Sequence, residues 1–247
     1  MNKQEIRRMI WKRMEERNIT RFPKPVYGRI PNFVGAEEAA QKVTELNVWR
    51  DAKVIKSNPD SPQKSVRELA LTDGKIVYMA VPRLRERKCF IELDPRFLGS
   101  NVSKASTIKG AFKHGRKVHP KDMKKLDLVI AGSVAVNEMG GRVGKGGGYS
   151  DLEFAIARHF NLITEETPVI TTVHPVQVVD FELEMKVHDV PLTSIVTKTE
   201  IIRTHSTLKK PKGIYWEILD QEMYDSIPIL STMRKQQNNR LPFTKEG

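Results

Sequence analysis

DLVIAGSVAVNEMGGRVGKGGGYSDLEFAIARHF, residues 127–160, joins an apolar run, a glycine-rich loop and an amphipathic segment. The run DLVIAGSVAV (127–136) is too apolar for a strand with one face in solvent, so it predicts a central strand that is buried on both faces. The segment DLEFAIARHF (151–160) has the spacing of apolar residues that is typical of a helix. A loop between such a strand and helix lies at the carboxyl edge of a parallel sheet, where α/β folds bind ligands.

Helical and strand patterns alternate along the rest of the chain. The predicted elements are helices at 3–18, 35–47 and 61–71 and strands at 54–57, 75–82, 168–174 and near 194–202. Ser61 is the expected N-cap of the third helix, and the proline-rich stretch 22–33 is expected to be an extended connection. The alternation predicts a three-layer α/β/α fold around a mostly parallel sheet. We expect a single domain over 1–233 and a polar, disordered tail over 234–247.

The composition is strongly basic. Lys and Arg number 42 and Asp and Glu 30, which gives a formal net charge of +12. This excess favours anionic partners such as nucleotides, polyanionic metabolites or nucleic acid. A heat-adapted surface rich in ion pairs is typical of the same composition, so charge alone leaves both readings open. No sequence motif supports nucleic-acid binding, and the oligomeric state is not predicted.

Cysteine usage and hydropathy indicate the compartment. A lone cysteine, Cys89, cannot form an internal disulfide or a cysteine-rich metal site, and its apolar surroundings favour a buried side chain. The first 18 residues lack the apolar core of a signal peptide, and no stretch reaches the roughly 18 apolar residues of a membrane span. We therefore expect a cytoplasmic protein with no membrane partner.

The first predicted helix turns two cations toward its apolar side. Ile6, Ile10 and Met14 form an apolar stripe, and at about 100° per residue Lys3 and Arg7 project beside it. Two cations four residues apart on one face could hold an anion. They could equally be long side chains that cover the margin of the core, and the pattern alone does not choose between the two.

The loop GGRVGKGGGYSD (140–151) holds six of the 15 glycines of the chain. Glycines allow positive φ and close approach of a ligand to the backbone, and the N–H groups of the following helix attract anions. The loop is not a P-loop, because Gly146 follows Lys145 where Ser or Thr is required, and it is not a dinucleotide fingerprint, because Tyr149 stands where the third glycine should be. A tight turn would explain one or two glycines but not six, so we predict a phosphate site.

The pattern G-x-R-h-G-x-G-x-G-Y-x-D, where h is apolar, resembles the signature of the 5-formyltetrahydrofolate cyclo-ligase family. Its fixed positions are Gly140, Arg142, Gly144, Gly146, Gly148, Tyr149 and Asp151. The family also has K-x-x-x-R on its first helix, which is similar to Lys3 and Arg7. Within the family the chain looks closest to the methenyltetrahydrofolate synthetase domain-containing group, through stretches such as FPKPVYGRIPNF (22–33) and TPVITTVH (167–174).

This resemblance implies a fold, a reaction and a set of site residues. The implied fold is NagB/RpiA/CoA transferase-like, and the implied reaction uses Mg-ATP to convert 5-formyltetrahydrofolate into 5,10-methenyltetrahydrofolate, ADP and phosphate. The residues implied to bind ATP are Lys3, Arg7, Gly144, Lys145, Gly146, Gly147, Gly148, Tyr149 and Asp151. Arg142, Lys145 and Tyr149 are the implied catalytic residues, and Asp151 is the implied Mg²⁺ ligand.

Three departures from the family pattern bear on the acceptor. Ser150 replaces the second residue of a usual Tyr pair, and Asn137 replaces a usual Asp. The E-x-x-T element, which supplies a substrate-facing glutamate, has no clear counterpart in SNPDSPQKSVREL (57–69). A reduced folate or related pterin is the expected substrate. A non-folate acceptor and a non-catalytic, basic RNA-binding protein remain the alternatives, and among the histidines His174 and His188 are weak pocket candidates.

Overall fold

The computed structural model of this protein describes residues 1–238. Within these residues, eight strands form one sheet. The strand order is β10-β9-β8-β5-β1-β2-β3-β4. Its strands are β1 (Val54–Ser57), β2 (Ile76–Ala80), β3 (Phe90–Leu93), β4 (Arg116–Val118), β5 (Leu128–Ile130), β8 (Val169–Thr172), β9 (Ser194–Val196) and β10 (Ile201–Arg203). A separate two-stranded sheet pairs β6 (Ala135–Val136) with β7 (Arg142–Val143).

The central strands are parallel and the edges are antiparallel. All pairings from β9 through β8, β5 and β1 to β2 are parallel. The antiparallel pairings are β2–β3, β3–β4 and β9–β10. The predicted α/β fold with a mostly parallel sheet is thus confirmed. The single strand predicted near 194–202 is wrong in detail, because that segment turns at 197–200 and returns as the hairpin strand β10.

Helices cover both faces of the sheet. They are α1 (Lys3–Glu16), α2 (Ala36–Lys42), α3 (Asn47–Asp51), α4 (Lys64–Thr72), α5 (Pro95–Leu98), α6 (Val102–Ala105), α7 (Ile108–His114), α8 (Tyr149–His159), α9 (Gln221–Ser226) and α10 (Pro228–Asn238). Alternate residues of one strand enter different cores: Val129 packs with α8, and Leu128 and Ile130 pack with α4 on the other face. Burial on both faces explains why β5 is apolar throughout.

The apolar run 127–136 is interrupted, contrary to the prediction of one continuous strand. It leaves the sheet after Ile130, where the N–H of Gly132 donates to Asn58 Oδ1 at 2.9 Å instead of to a strand neighbour. A Cβ on Gly132 would lie 3.1 Å from Asp60 Oδ2 and from Gln63 Oε1, so the backbone passes close beneath the loop after β1. This interruption turns the glycine-rich loop back over the carboxyl edge of the sheet.

The ends of the helices differ from expectation in two places. A 3-10 turn at Ser61–Gln63 precedes α4, which starts at Lys64 with no side-chain cap, so Ser61 is not its N-cap. The tail expected to be disordered began at 234, but α10 continues through Asn238. Residues 239–247, the remainder of that tail, lie outside the described residues. Of the helices within 1–238, none combines the length and the apolar character that crossing a bilayer requires.

Candidate functional site

A cavity of about 680 Å³ opens at the carboxyl edge of the parallel strands. Its walls come from the start of α1, from the loops after β1, β2 and β5, and from the glycine-rich loop with the first turn of α8. It brings together all the residues that the sequence predicts to bind ATP, to catalyse the reaction or to hold Mg²⁺: Lys3, Arg7, Arg142, Gly144, Lys145, Gly146, Gly147, Gly148, Tyr149 and Asp151. The N-terminal helix and the loop are thus parts of one site, although more than 120 residues separate them in sequence.

The glycine-rich loop exposes backbone toward this cavity. Gly146 has φ +109° and Gly148 has φ +65°, conformations that L side chains rarely adopt. Gly148 is the N-cap of α8 and carries no side chain to bond the first N–H groups of that helix. Those N–H groups can donate hydrogen bonds to an anion, which the positive end of the helix dipole also attracts.

Two cations of α1 approach the loop from the opposite side. Lys3 forms an ion pair with Asp189, and Arg7 donates from Nε to the carbonyl oxygen of Gly144 at 2.7 Å. Partial burial lowers the pKa of Arg7, and the nearby Asp189 carboxylate opposes that shift. Both cations line the cavity, so their inward orientation places positive charge at the site in addition to covering the core margin.

Lys145 reaches across the cavity from the loop. Its ammonium group lies 2.7 Å from Asp60 Oδ1, and its side chain is 43% exposed. Asp60 belongs to the segment after β1 and was not predicted from sequence. The lysine side of this pair is open to solvent, whereas Asp60 is 15% exposed, so a ligand in the cavity can approach the ammonium group.

Arg142 differs from the other cations of the cavity because its side chain is buried. Its side chain is 2% exposed, pairs with Asp151 and donates from Nη1 to the carbonyl oxygen of Gly132 at 3.0 Å. Asp151 also accepts from the N–H of Val190 at 3.1 Å. Direct neutralisation of a triphosphate by Arg142 stays a prediction. The ion pair with Arg142 and the hydrogen bond from Val190 hold the Asp151 carboxylate in place at the cavity wall.

A buried polar network lies under the loop. Lys56 and Glu153 form an ion pair within the core, and Asn58 donates from Nδ2 to Glu153 Oε2 at 2.9 Å. Burial raises the pKa of Glu153, and the adjacent Lys56 opposes the shift. Ser150, which replaces a usual tyrosine, lies 3.0 Å from Asn58 Oδ1 and joins this network to α8. The sequence signal of this network was Lys56, which follows Val54 and Ile55 in the buried strand β1.

The structure shows what surrounds two further positions that depart from the family pattern. Asn137 closes a turn, since its Oδ1 accepts from Gly141 N at 2.8 Å and its Nδ2 donates to Phe181 O at 3.0 Å. The loop that lacks the E-x-x-T element still brings Asn58 and Asp60 to the cavity. Asp60 is therefore a carboxylate that this loop contributes to the cavity.

The two candidate histidines lie in different places. His188 lines the cavity. His174 is not among the lining residues described within 1–238; its Nδ1 accepts from Val176 N at 3.1 Å and caps a 3-10 turn at Pro175–Gln177. Burial and the nearby Lys198 lower the pKa of His174. His174 therefore does not line this cavity, and a role for it in ligand binding stays a prediction.

Comparisons with known proteins agree with this architecture. The sequence profile described as the 5-formyltetrahydrofolate cyclo-ligase family matches residues 1–198. The methenyltetrahydrofolate synthase domain-containing proteins of Bos taurus and Homo sapiens are 40% identical over 240 residues and 39% identical over 237 residues. These alignments cover 96% and 95% of this chain but 63% and 62% of the relatives, so the chain spans less than two thirds of their length.

A solved structure shares the fold. The NMR structure of Aquifex aeolicus 5,10-methenyltetrahydrofolate synthetase superposes with a TM-score of 0.53 at 17% identity and covers 84% of this chain and 95% of its own. At that identity the likeness concerns the fold alone. The profile match, which extends from the first helix through the glycine-rich loop to β9, assigns the family: the chain belongs to the 5-formyltetrahydrofolate cyclo-ligase family.

Proposed function

We propose that this chain is an ATP-dependent 5-formyltetrahydrofolate cyclo-ligase, which forms 5,10-methenyltetrahydrofolate, ADP and phosphate. The observation that carries the proposal is the convergence of Lys3, Arg7 and Lys145 on a glycine-rich helix N-terminus at one cavity. Backbone N–H groups and three cations at one point suit a triphosphate. Family membership supplies the cyclo-ligase chemistry that such a site would serve.

The reaction needs activation of an unreactive formyl group. The formyl oxygen on N5 attacks the γ-phosphorus of ATP, and the bond to the β-phosphate oxygen breaks to release ADP. N10 then attacks the formyl carbon, and phosphate leaves with the former formyl oxygen while the N10 proton passes to phosphate or solvent. Because ring closure is intramolecular, the protein contributes chiefly positioning and charge neutralisation.

Each site residue has a part in this scheme. The amides of Gly144, Gly146 and Gly148 bind phosphate oxygens, and Lys145 leaves Asp60 to neutralise the transferred phosphoryl group. Arg7 holds the loop through Gly144 and presents its remaining guanidinium donors to the triphosphate. Tyr149, in the first turn of α8 and half-buried, packs beside the phosphates at the boundary with the acceptor.

The acidic residues fit a phosphate-borne Mg²⁺. Within residues 1–238 no group of three or more His, Cys, Asp or Glu side chains could form a metal cage. Magnesium at phosphate sites commonly uses only one or two carboxylates and keeps several waters. Asp151, whose described hydrogen bonds use only Oδ1, and Asp189 would hold it. When bound, Mg²⁺ would neutralise part of the phosphate charge.

The test follows methenyl product and ADP together in a mixture of purified protein, Mg-ATP and 5-formyltetrahydrofolate. We expect both products in equal amounts, and a loss of at least about 100-fold in kcat for Lys145→Ala, about 2.7 kcal/mol of transition-state stabilisation. Lys64→Ala is the matched control, since Lys64 is 42% exposed and pairs with Glu68 outside the cavity. ATP binding without either product would overturn the folate assignment and favour a different acceptor.

A further inference from the structure

A second, apolar pocket of about 220 Å³ lies against the glycine-rich loop. One side is formed by Gly146–Gly148, and the other by residues of the segment 213–223, chiefly Ile214, Ile218, Leu219 and Met223. This segment lies beyond residue 198, where the family profile ends. The pocket is therefore built jointly from the family's loop and from a part of the chain outside the family match.

The segment 213–223 is anchored to the body of the protein. Just after it, Ile227, Leu230 and Met233 are fully buried in the core that also contains α8. The Trp216 and Tyr224 rings meet edge to face, with centroids 6.2 Å apart. These contacts hold the segment 213–223, and with it the wall of the pocket, against the rest of the fold.

The pocket and the main cavity share the loop. Gly146, Gly147, Gly148, Asp151 and His188 line both. A Cβ on Gly148 would lie 3.6 Å from Met223 Cε, so the segment sits directly over the glycine backbone. A ligand with phosphates on the loop can therefore place one end in the main cavity and the other end in the apolar pocket.

We propose that this pocket binds the base of the nucleotide, an inference that rests on the proposed function. The main cavity carries the polar groups, including Asn58, Asp60 and Glu153, that a pterin with its many donors and acceptors requires. The lining of the second pocket is mostly apolar, with Asp151, His188 and Asp220 among its charged or titratable members, and apolar walls suit the faces of a flat heteroaromatic ring. Its 220 Å³ equals the share of about seven liquid water molecules, enough for a base but not for a whole folate.

The charged parts of the ligands are excluded from the pocket by the same argument. A glutamate tail or a phosphate placed among Ile214, Ile218 and Leu219 would lose its hydration, and no Lys or Arg lines this pocket to pair with it. The order of groups along the site is then acceptor in the main cavity, phosphates on the loop, and base beneath the segment 213–223.

The test compares the affinities of ATP and inorganic tripolyphosphate, each with Mg²⁺, by titration calorimetry. The variant is Ile218→Asn, a neutral change at a side chain that is 50% exposed and is therefore tolerated by the fold. Leu208→Asn is the matched control, because Leu208 is 40% exposed and lies outside both the pocket and the main cavity. We expect Ile218→Asn to lower the affinity for ATP about tenfold and to leave the affinity for tripolyphosphate unchanged. Leu208→Asn should change neither affinity.

Other outcomes are decisive in the opposite direction. If wild-type protein binds ATP no more tightly than tripolyphosphate, the base makes no contact and the inference alone fails. Unchanged ATP affinity in Ile218→Asn, with a raised KM for 5-formyltetrahydrofolate, would assign the pocket to the pterin instead. Equal weakening of both ligands would mean that the variant disturbs the loop, which also overturns the inference. Binding of neither ligand to the wild type would remove the proposed function itself.

Discussion

The guanidinium of Arg7 donates its Nε–H to the carbonyl oxygen of Gly144 at 2.7 Å, and so joins the first helix to the glycine-rich loop. Its Nη1 is held by Gln4 Oε1 at 3.0 Å. The same side chain contributes charge to the cavity and fixes the position of the backbone that the ligand contacts. Loss of this residue should therefore weaken anion binding in two ways.

Arg7→Gln should lower the affinity for Mg-ATP by at least about tenfold, because the substitution removes a charge-assisted hydrogen bond and one cation. Arg8→Gln is the control, since Arg8 lies on the exposed side of the same helix and a change there removes an equal charge. The measurement is the dissociation constant of Mg-ATP by titration calorimetry. Equal affinities of the two variants would show that net charge, and not the position of Arg7, controls binding.

Gly146→Ala should impair the phosphate site through the backbone. At φ +109° an alanine is strained, and its Cβ would lie 3.4 Å from the Arg7 guanidinium carbon. We expect a loss of about 1–3 kcal/mol in stability and a markedly lower affinity for ATP. Gly74→Ala, at φ +78° with nothing near its Cβ, should show the backbone cost alone and bind ATP normally. Identical ATP affinity in the two variants would contradict a role of Gly146 at the phosphates.

The ligand-binding backbone was predictable because its signal is local. Strand, glycines and helix follow one another within residues 127–160, and the two α1 cations lie four residues apart. Their partners were not predictable, since Lys145 and Asp60 are 85 residues apart in sequence and Arg7 and Gly144 are 137 apart. Such pairs depend on how distant loops meet at the sheet edge, which a single sequence does not encode in any periodic pattern.

The errors in the fold have a similar origin. The strands β3 and β4 were not predicted, because three of the four residues of β3 are buried without alternation and only the last residue of β4 is buried. The apolar run 127–136 was read as one strand because hydrophobicity alone does not reveal that Asn58 takes the N–H of Gly132 out of the ladder. The buried state of Arg142 was missed because an arginine in a charged loop is ordinarily exposed.

Asp151→Ala should cost stability as well as activity. It leaves the Arg142 guanidinium, which is 2% exposed, without its carboxylate, and we expect a loss of about 3 kcal/mol in the free energy of unfolding. Asp151→Asn keeps an oxygen acceptor and should lose less, while both variants should lose most of their Mg-ATP turnover. Urea denaturation and steady-state assays separate the two effects.

Glu16→Ala provides the control for the Asp151 variants. It breaks the exposed Lys12–Glu16 pair at 3.7 Å and should cost less than about 1 kcal/mol. An Asp151→Ala protein as stable as Glu16→Ala would mean that the remaining bond from Arg142 to Gly132 suffices to compensate its buried charge.

The Lys56–Glu153 pair predicts strong coupling between two substitutions. Glu153→Leu leaves Lys56 charged within the core and should lower stability by about 3–5 kcal/mol. Adding Lys56→Met removes the unpaired charge and should recover most of that loss. Denaturant unfolding of the two single variants and the double variant gives the coupling free energy. Additive losses would show that the two groups do not compensate each other's burial.

Cys89 gives the protein a specific loss of stability in alkali. Burial raises the pKa of its thiol to about 12, above the ordinary value of 9.0. The unfolded chain therefore releases this proton from about pH 9 upward while the folded chain retains it, so the contribution is complete below pH 9 and is lost as pH rises toward 12. Between pH 7 and pH 10 the free energy of unfolding of the wild type should fall by about 1.4 kcal/mol more than that of Cys89→Ala. The comparison cancels every other titrating group, and parallel stability–pH curves for the two proteins would contradict the shifted thiol.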